Sequence, residues 1–330
     1  MSTPAAFRAF RIHADGGHRA GLETLSLDDL SPGEVVIRAA WSSVNYKDAL
    51  AGTGSGRILR RSPLVGGIDV AGHVLASTDP RFREGDAVLC TGSGLSETRD
   101  GGYSEIVRLP AEWTIPLPAG LDLREAMVLG TAGFTAGLSL LRMEQNGQTP
   151  EAGPIVVTGA SGGVGSLALA ILSRAGYEAH AISGKPEHAD WLRRLGAREV
   201  LPRDTLADAT RPLETARWAG AIDNVGDATL AALTRVIQPY GNIASCGLAA
   251  GHGLATTVMP FIIRGVSLLG IASAGTARPM REQVWERLAG AWKPADLAMI
   301  ATAETDLDAL PGVFPNMLAG GSVGRTVVRL

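Results

Sequence analysis

The strongest chemical signal in the chain is the glycine-rich segment at residues 158–165, which reads Thr-Gly-Ala-Ser-Gly-Gly-Val-Gly. It follows a short apolar run at residues 155–158 and opens an Ala/Leu-rich segment at residues 164–174 that is typical of a helix. Glycines at a strand-to-helix junction let backbone N–H groups approach a pyrophosphate, and the helix turns its positive end toward that group. The segment therefore predicts a dinucleotide site, and the alternative is a tight turn without a ligand. Within it, the predicted cofactor contacts are Thr158, Ser161, Gly162, Gly163 and Val164.

The next predicted strand ends in Ser183, Gly184 and Lys185. A site for NAD normally has an aspartate or glutamate there, which accepts a hydrogen bond from the ribose 2′-hydroxyl. Here a hydroxyl, a flexible glycine and a cation take that place, and these groups suit a ribose 2′-phosphate instead. Arg203, just past the third predicted strand, is a second candidate cation. We therefore predict NADPH as the cofactor; the alternative is that Lys185 and Arg203 are solvated surface charges.

The pattern of elements that must position these residues changes near residue 125. Before it, short strands such as residues 34–40 are separated by turns rich in Gly, Pro and Asp, which predicts a β-rich, barrel-like domain. After it, apolar strands alternate with helices, which predicts a parallel sheet covered on both faces. Residues 326–330 again have the pattern of a strand, which we expect to return to the first domain. The predicted domains are residues 1–125, completed by about 301–330, and residues 126–300.

The composition bounds the class of protein. The 330 residues carry a net charge of −3, with 45% hydrophobic and 19% charged residues, which are ordinary globular values. That balance gives no electrostatic reason to expect nucleic acid or an anionic membrane as a partner. The two cysteines, Cys90 and Cys246, are too few for a disulfide framework or a four-cysteine zinc site. Because we find no signal-peptide pattern and no uncharged apolar run of ~20 residues, we expect a cytoplasmic protein.

Seven further segments resemble, in their order and spacing, the medium-chain dehydrogenase/reductase superfamily, and within it the quinone-oxidoreductase-like branch of the acryloyl-CoA reductase type. The segments are residues 41–50, 67–69, 79–82, 130–136, 201–204, 245–249 and 256–262. The resemblance implies an α/β fold with a GroES-like β-barrel catalytic domain and a Rossmann domain with a doubly wound parallel sheet. It also implies NADPH-dependent reduction of the carbon–carbon double bond of acryloyl-CoA to propanoyl-CoA, and a homodimer formed through the strand near residues 266–273.

The same resemblance guides the prediction about metal. Zinc-dependent members of the superfamily use cysteine and a His-Glu pair as ligands, whereas this chain has Tyr46 where a ligand cysteine is typical, and His73 has no acidic neighbour. We therefore predict no metal, and expect the substrate to be an alkene that is already activated by a conjugated thioester. Hydride from the nicotinamide C4 would then add at the β carbon, and hydrogen-bond donors would stabilise the enolate oxygen.

Asn45 and Tyr46 are the side chains that the resemblance implies near the nicotinamide. Asn45 is a candidate for binding the cofactor ribose or the substrate, and Tyr46 for contacting the cofactor, donating to the substrate or relaying a proton. The alternatives are turn chemistry for Asn45 and packing with a satisfied hydroxyl for Tyr46. Asp69 is a candidate substrate contact or a turn residue at a strand end. No residue is identified as the general acid, so solvent is a possible source of the proton.

More distant contacts are also implied. Leu248, Ile262, Ser273 and Arg325 are expected at the cofactor, although Arg325 fits a structural charge equally well. A basic cluster after a glycine-rich loop is a candidate contact for the CoA phosphates, with a solvated loop as the alternative. The cluster consists of Arg57, Arg60 and Arg61.

Two other functions stay open. One is an NADPH-dependent quinone or general enone reductase, whose fold and cofactor site would look the same. The other is a non-enzymatic NADPH-binding sensor or structural protein, against which the retained Asn45 and Tyr46 argue. Fold does not fix chemistry, so activity on different acceptors is what separates the three functions.

Overall fold

The computed structural model describes residues 4–330, which divide into two compact units. Unit 1 holds the residues up to Thr131 together with Ser273–Ala289 and Asp296–Leu330, and unit 2 holds Ala132–Ala272 and Gly290–Ala295. The first part of unit 1 contains β1 Phe7–His13, β2 Arg19–Leu25, β3 Val35–Val44, α1 Tyr46–Thr53, β4 Leu64–Val65, β5 Asp69–Ser77, β6 Ala87–Thr91, β7 Ile106–Leu109 and β8 Ile115–Pro116.

The helix α2 Leu123–Gln145 follows, and the division between the units falls within it. Unit 2 then contains β9 Ile155–Thr158, α3 Gly163–Arg174, β10 Ala179–Ser183, α4 Ala189–Arg194, β11 Ala197–Pro202, β12 Trp218–Asp223, α5 Asp227–Val236, β13 Ile237–Ser245, α6 Met259–Arg264 and β14 Ser267–Gly270. The remaining elements of unit 1 are α7 Arg278–Ala289, α8 Leu297–Ile300, β15 Ala303–Thr305, α9 Leu310–Leu318 and β16 Thr326–Arg329.

Unit 1 is built on a mainly antiparallel sheet with the strand order β15-β16-β3-β5-β6-β8, in which β7 also pairs with β3. A smaller sheet has the order β2-β1-β4. The residues predicted as a returning strand form β16, which pairs antiparallel with β3 and sets Thr326 opposite Val44. In the core of this unit, the rings of Phe10, Tyr103 and Phe314 lie with their centroids 5.8 to 6.4 Å apart.

Unit 2 is a six-stranded parallel sheet with the order β11-β10-β9-β12-β13-β14. The direction in which strands are added reverses between β9 and β12, and every residue of these two central strands is buried. In such sheets, ligands bind beyond the carboxyl ends of the strands where the order reverses. The predicted α/β class with a doubly wound parallel sheet is confirmed, and it locates a site at the ends of β9, β10 and β12.

The boundaries of the two units differ from the boundaries of the predicted domains. Helix α7 lies in unit 1, whereas the sequence assigns residues 126–300 to the cofactor domain. Hydrogen bonds explain this placement, because buried Arg281 donates from Nη1 to the Thr91 carbonyl oxygen at 2.8 Å. Arg278 donates to the Ala111 carbonyl oxygen at 2.9 Å. Arg281 and Thr91 are 190 residues apart in sequence, so no local pattern could indicate this contact.

Helix α2 is the one element among residues 4–330 that is long and apolar enough to cross a membrane. However, 89% of its most apolar 18-residue window is buried inside the protein, which is the condition of a core helix. Gly130 interrupts the helix with φ of 50° and ψ of −155°. The length of α2 therefore does not indicate a membrane span.

Candidate functional site

The glycine-rich turn lies at the carboxyl end of β9 and leads into α3. Gly159 has a φ of 58°, in the left-handed region that glycine adopts most easily, and Gly162 is the N-cap of α3. At Gly165, a Cβ would lie 2.4 Å from the Gly159 carbonyl oxygen, so only glycine lets the turn fold back this closely. The first N–H groups of a helix have no partner within it, and those of Gly163 and Val164 are therefore available to an anion. This turn can hold the diphosphate of a dinucleotide.

Buried polar side chains brace the turn from within the sheet. Thr158 donates from Oγ1 to Asp223 Oδ1 at 2.6 Å and accepts at the same oxygen from the Asn224 N–H at 3.0 Å. Asp223 is fully buried, which raises its pKa, and its Oδ2 accepts from the Gly226 N–H at 2.9 Å. The sequence predicts a cofactor contact for Thr158, but its buried hydroxyl is already used by Asp223 and Asn224. The run at residues 220–226, which contains both residues, resembles a cofactor-domain motif of the superfamily, but the sequence assigns no site role to Asp223 or Asn224.

The end of β10 carries the second part of the candidate cofactor site. Ser183 is buried; its Oγ donates to Ser161 Oγ at 3.3 Å and accepts from the Lys185 N–H at 3.1 Å. Burial lowers the pKa of the Lys185 ammonium; the Glu187 carboxylate opposes this shift, and the Arg203 guanidinium adds to it. Two cations are thus held near each other at the place where an NAD site has a carboxylate.

In unit 1, three residues singled out by the sequence come together in a buried cluster. Asp69 is fully buried, and its Oδ2 accepts from Ser43 Oγ at 2.6 Å and from Asn45 Nδ2 at 2.8 Å. Its Oδ1 accepts from the Thr131 N–H at 3.0 Å. Arg325 Nη2 lies 3.8 Å from Asp69 Oδ2 and forms an ion pair with it. The cluster therefore ties the end of β3 and the start of β16 to the start of β5.

Arg325 uses all its nitrogens inside this cluster. Nε donates to the Val128 carbonyl oxygen at 3.0 Å, Nη1 to the Val44 carbonyl oxygen at 3.0 Å, and Nη2 to Ser43 Oγ at 2.6 Å. Nη1 also donates to Asn45 Oδ1 at 3.1 Å. Desolvation lowers the pKa of Arg325, and the nearby Asp69 carboxylate opposes that shift.

These contacts describe the surroundings of three residues whose roles the sequence predicts. The sequence predicts cofactor or substrate contacts for Asn45, Asp69 and Arg325, but all three side chains are buried and hydrogen-bonded to one another or to the surrounding backbone. The internal bonds support the structural-charge alternative for Arg325, and Asn45 and Asp69 hold neighbouring elements in place. The ligand contacts of the three residues stay predictions.

Asp48 joins the cluster from the first turn of α1. Its Oδ2 accepts from the Asn45 N–H at 2.8 Å, and its Oδ1 accepts from the Ile68 N–H at 2.9 Å. Burial, and then repulsion from the Asp69 carboxylate, raises the pKa of Asp48 to about 7. Desolvation also raises the pKa of Tyr103, which faces Asp48. Sequence reasoning missed Asp48, although the Asn-x-x-Asp spacing at a helix start is a signal for reciprocal capping.

Tyr46 is the first residue of α1, and its side chain is 45% exposed. No group among residues 4–330 forms a hydrogen bond with its hydroxyl. The buried cluster fixes Asn45 directly before it, so the Tyr46 backbone is held while its ring reaches solvent. The packed alternative does not fit this exposure, and the hydroxyl is free to donate to a ligand oxygen.

Three further predicted cofactor contacts lie later in the chain, two of them in unit 2 and one in unit 1. Leu248 and Ile262 are in unit 2, where both side chains are well exposed. Ser273 is in unit 1, where its carbonyl oxygen accepts from Arg281 Nη2 at 3.0 Å. The cofactor contacts of these three residues therefore stay predictions.

The predicted CoA contacts are exposed in the segment between α1 and β4. Arg57 and Arg60 make no side-chain hydrogen bond or ion pair within the described part of the chain. Arg61 donates from Nη1 to the Thr98 carbonyl oxygen at 3.4 Å. Two of the three guanidinium groups are thus open to an anion.

The residues present do not fit a zinc ion. From residue 4 to the end of the chain, no group of three His, Cys, Asp or Glu side chains is placed to hold a metal. His73 is exposed on β5, and its Nδ1 lies 3.2 Å from the Gly85 carbonyl oxygen. Because the ligand set is lacking in these residues, we derive no chemical step through zinc.

Two family models match the chain. The alcohol dehydrogenase GroES-like domain matches residues 31–119, and the zinc-binding dehydrogenase family matches residues 163–290. Putative quinone oxidoreductase YhfP of Bacillus subtilis is 47% identical over 94% of this chain and 94% of its own length. Probable acrylyl-CoA reductase AcuI of Escherichia coli is 46% identical over 96% of this chain and 97% of its own length.

Solved structures agree with these matches. The yhdH oxidoreductase from Salmonella enterica in complex with NADP has a TM-score of 0.94 and 44% identity, over 98% of this chain and 99% of its own. The Bacillus subtilis protein yhfP with NAD bound has a TM-score of 0.96 and 45% identity, over 100% of both chains. The predicted fold and family are confirmed. This chain therefore belongs to the medium-chain dehydrogenase/reductase superfamily.

Proposed function

We propose that this protein is an NADPH-dependent reductase of activated carbon–carbon double bonds, and that it converts acryloyl-CoA to propanoyl-CoA. The cofactor choice rests on one observation, the cation pair Lys185 and Arg203 at the end of β10 where an NAD site has a carboxylate. The relative named as an acrylyl-CoA reductase, at 46% identity over nearly the full chain, supports the substrate. The NADP complex of the yhdH oxidoreductase supports the phosphorylated cofactor.

The exposed hydroxyl of Tyr46 is the donor that this chain offers to the reacting thioester. NADPH, when bound, supplies a hydride that bonds to the β carbon of the double bond. The electron pair of the double bond moves toward the thioester oxygen, and solvent supplies the proton that bonds to the α carbon. Tyr46 donates from Oη to the developing oxyanion, because its hydroxyl has no other partner among residues 4–330. Asn45 and Asp69 hold the backbone before Tyr46.

The basic segment after α1 would take the phosphates of the CoA tail. The backbone N–H of Arg60 donates to the Glu97 carbonyl oxygen at 2.7 Å, and the Glu97 carboxylate pairs with Lys47 at 2.5 Å. Lys47 directly follows Tyr46, so the segment is tied to the helix turn that carries the proposed oxyanion donor. This connection supports one ligand that extends from Tyr46 to Arg57 and Arg60.

The protein would act as a homodimer in the cytoplasm. Strand β14 is an edge of the unit 2 sheet, and α6, which directly precedes it, exposes Ile262 and Ile263. An open strand edge beside exposed apolar side chains favours pairing with a second copy, which would continue the sheet. Sedimentation equilibrium of the protein should give twice the chain mass of 34.2 kDa.

The state of the cysteines supports the cytoplasmic location. Both cysteines are free thiols, as expected in a reducing compartment.

The activity is tested by following the absorbance of NADPH with acryloyl-CoA, crotonyl-CoA and a simple quinone as acceptors, and with NADH in matched wells. We expect the highest kcat/KM for NADPH with acryloyl-CoA. Turnover of the quinone alone would favour the quinone reductase that the name of the 47% identical relative suggests. Binding of NADPH without oxidation by any acceptor would leave only the non-enzymatic function.

A further inference from the structure

Gly184 lies in the turn after β10, and its backbone conformation does not require a glycine. Gly159 and Gly176 in the same unit have φ of 58° and 86°, which L-residues rarely adopt. Gly184 is not among the glycines with positive φ, so an alanine could take its backbone conformation. The absence of a side chain at this position therefore needs another physical reason.

The surroundings of Gly184 supply that reason. A Cβ built on Gly184 would lie 2.5 Å from Nη2, 2.6 Å from Nε and 2.7 Å from Cζ of Arg203, and these are its three nearest neighbours. All three distances are shorter than real Cβ contacts, which stay above 3.0 Å. A methyl group there would displace the end of the Arg203 side chain, which is flexible, while the sheet could stay as it is.

No hydrogen bond or ion pair of the Arg203 guanidinium within the described residues explains this close approach. Arg203 is exposed, and none of residues 4–330 forms a hydrogen bond or ion pair with it. Its backbone is fixed, because Ser183 of β10 lies opposite Pro202 of β11 in the parallel register. An unpaired guanidinium is thus held over the end of the strand that precedes Lys185, and a guanidinium binds phosphate oxygens through two parallel N–H groups.

We propose that Gly184 is a specificity-determining positioning residue: the space left by its missing Cβ sets the Arg203 guanidinium where it binds the ribose 2′-phosphate of NADPH. Gly184 acts through Arg203 and contributes no polar group of its own. NADH carries a hydroxyl at this ribose position and no phosphate, so its binding does not depend on where the guanidinium lies. The inference rests on the proposed NADPH site and adds the residue that arranges it.

The test is isothermal titration calorimetry of the full chain with NADPH and with NADH, which reads binding without any reaction. The variants are Gly184→Ala, Arg203→Ala and the double variant. The control is Gly312→Ala in α9, where an added Cβ meets nothing within 4 Å and φ is not positive. Thermal unfolding of each variant checks that the fold is kept.

We expect Gly184→Ala to raise the Kd for NADPH by roughly tenfold, since one charge-assisted contact is lost, and to change the Kd for NADH by less than about twofold. The double variant should bind NADPH no more weakly than Arg203→Ala, because the methyl group acts through the guanidinium. Gly312→Ala should match the wild type.

Different failures have different meanings. If the wild type binds NADPH no more tightly than NADH, the proposed cofactor site fails and this inference fails with it. If the wild type prefers NADPH but Gly184→Ala keeps that preference, only the role of Gly184 is overturned. The same holds if Gly184→Ala weakens both nucleotides equally, or if it weakens NADPH further in the Arg203→Ala background.

Discussion

Two regions of the molecule contain charged side chains whose charges do not cancel, and the two regions differ in how the excess charge is compensated. In unit 1, the carboxylates of Asp48 and Asp69 share a single guanidinium, that of Arg325, and all three side chains are buried. In unit 2, the cations Lys185 and Arg203 lie near each other, and Arg203 is exposed without a partner in the described chain. The first region has excess negative charge, and the second has excess positive charge.

Burial determines how each imbalance is resolved. A buried donor has no water to bind, so every nitrogen of Arg325 binds a protein oxygen, and a proton on Asp48 removes the excess charge up to a pKa of about 7. The exposed Arg203 guanidinium is solvated and keeps its capacity for an anion. A buried charge whose hydrogen bonds are all made inside the protein therefore indicates a structural role, whereas an exposed and unpaired charge such as that of Arg203 indicates a ligand.

The largest expected effect comes from removing the buried guanidinium. Arg325→Met leaves the Asp69 carboxylate buried without its countercharge, and we expect the free energy of unfolding to fall by about 3–5 kcal/mol. Arg203→Met is the matched control; because Arg203 is exposed and unpaired, its unfolding free energy should change by no more than about 0.5 kcal/mol. Urea unfolding measures both. Equal changes in the unfolding free energy of the two variants would contradict the view that the buried guanidinium stabilises the fold and the exposed one does not.

The proton on Asp48 should appear in the pH dependence of stability. The folded state keeps this proton up to a pKa of about 7, whereas the unfolded state releases it near the ordinary value of 3.8. The folded state thus binds more protons in this window, so the contribution of Asp48 to stability is fully present below pH 3.8, falls as the pH rises to about 7, and is lost above it. The rise of the Asp48 pKa from 3.8 to about 7 corresponds to a contribution of roughly 4 kcal/mol to the free energy of unfolding.

The measurement compares the unfolding free energy of the wild type and of Asp48→Asn from pH 4 to pH 8. Asparagine does not titrate, so the difference between the two proteins isolates the Asp48 contribution from other carboxylates. We expect the wild type to lose stability relative to the variant as the pH rises. A difference that stays constant with pH would show that Asp48 is ionised throughout.

The smallest expected change in stability, with a clear change in binding, comes from Lys185→Glu. The new carboxylate would repel a ribose 2′-phosphate, so we expect the Kd for NADPH to rise by about 10- to 100-fold and that for NADH to change far less. Fluorescence titration with each nucleotide gives both constants. Equal effects on the two nucleotides would contradict the assignment of the cation pair to the 2′-phosphate.

The sequence reveals one region better than the other because their contacts differ in range. The glycine-rich turn precedes its helix directly, and Lys185 lies two residues after a strand end, so local spacing is enough to locate both. The buried cluster depends on contacts such as that between Arg325 and Asn45, which are 280 residues apart. Residue type alone cannot separate a saturated arginine from an open one, which is why the sequence predicts a cofactor contact for both Arg325 and Arg203 and leaves a purely structural or surface charge open for each.

Tyr46 shows a second limit of the sequence. Its residue type fits both a packed ring and a solvent-facing donor, and only the position at the first turn of α1, with Asn45 held before it, decides between them. Asp48 and Asp223 were missed for a related reason. Each is a lone acidic residue near an element boundary, where caps are common, and only tertiary burial gives it a raised pKa.

The place of β16 in the sheet has a consequence for synthesis on the ribosome. Strand β16 lies between β15 and β3, yet it is translated only after all the strands of unit 2. The nascent chain can complete the parallel sheet while the antiparallel one still has an unpaired edge along β3 and an uncompensated carboxylate at Asp69. Translation of β16 therefore sets the moment at which the antiparallel sheet of unit 1 can be completed.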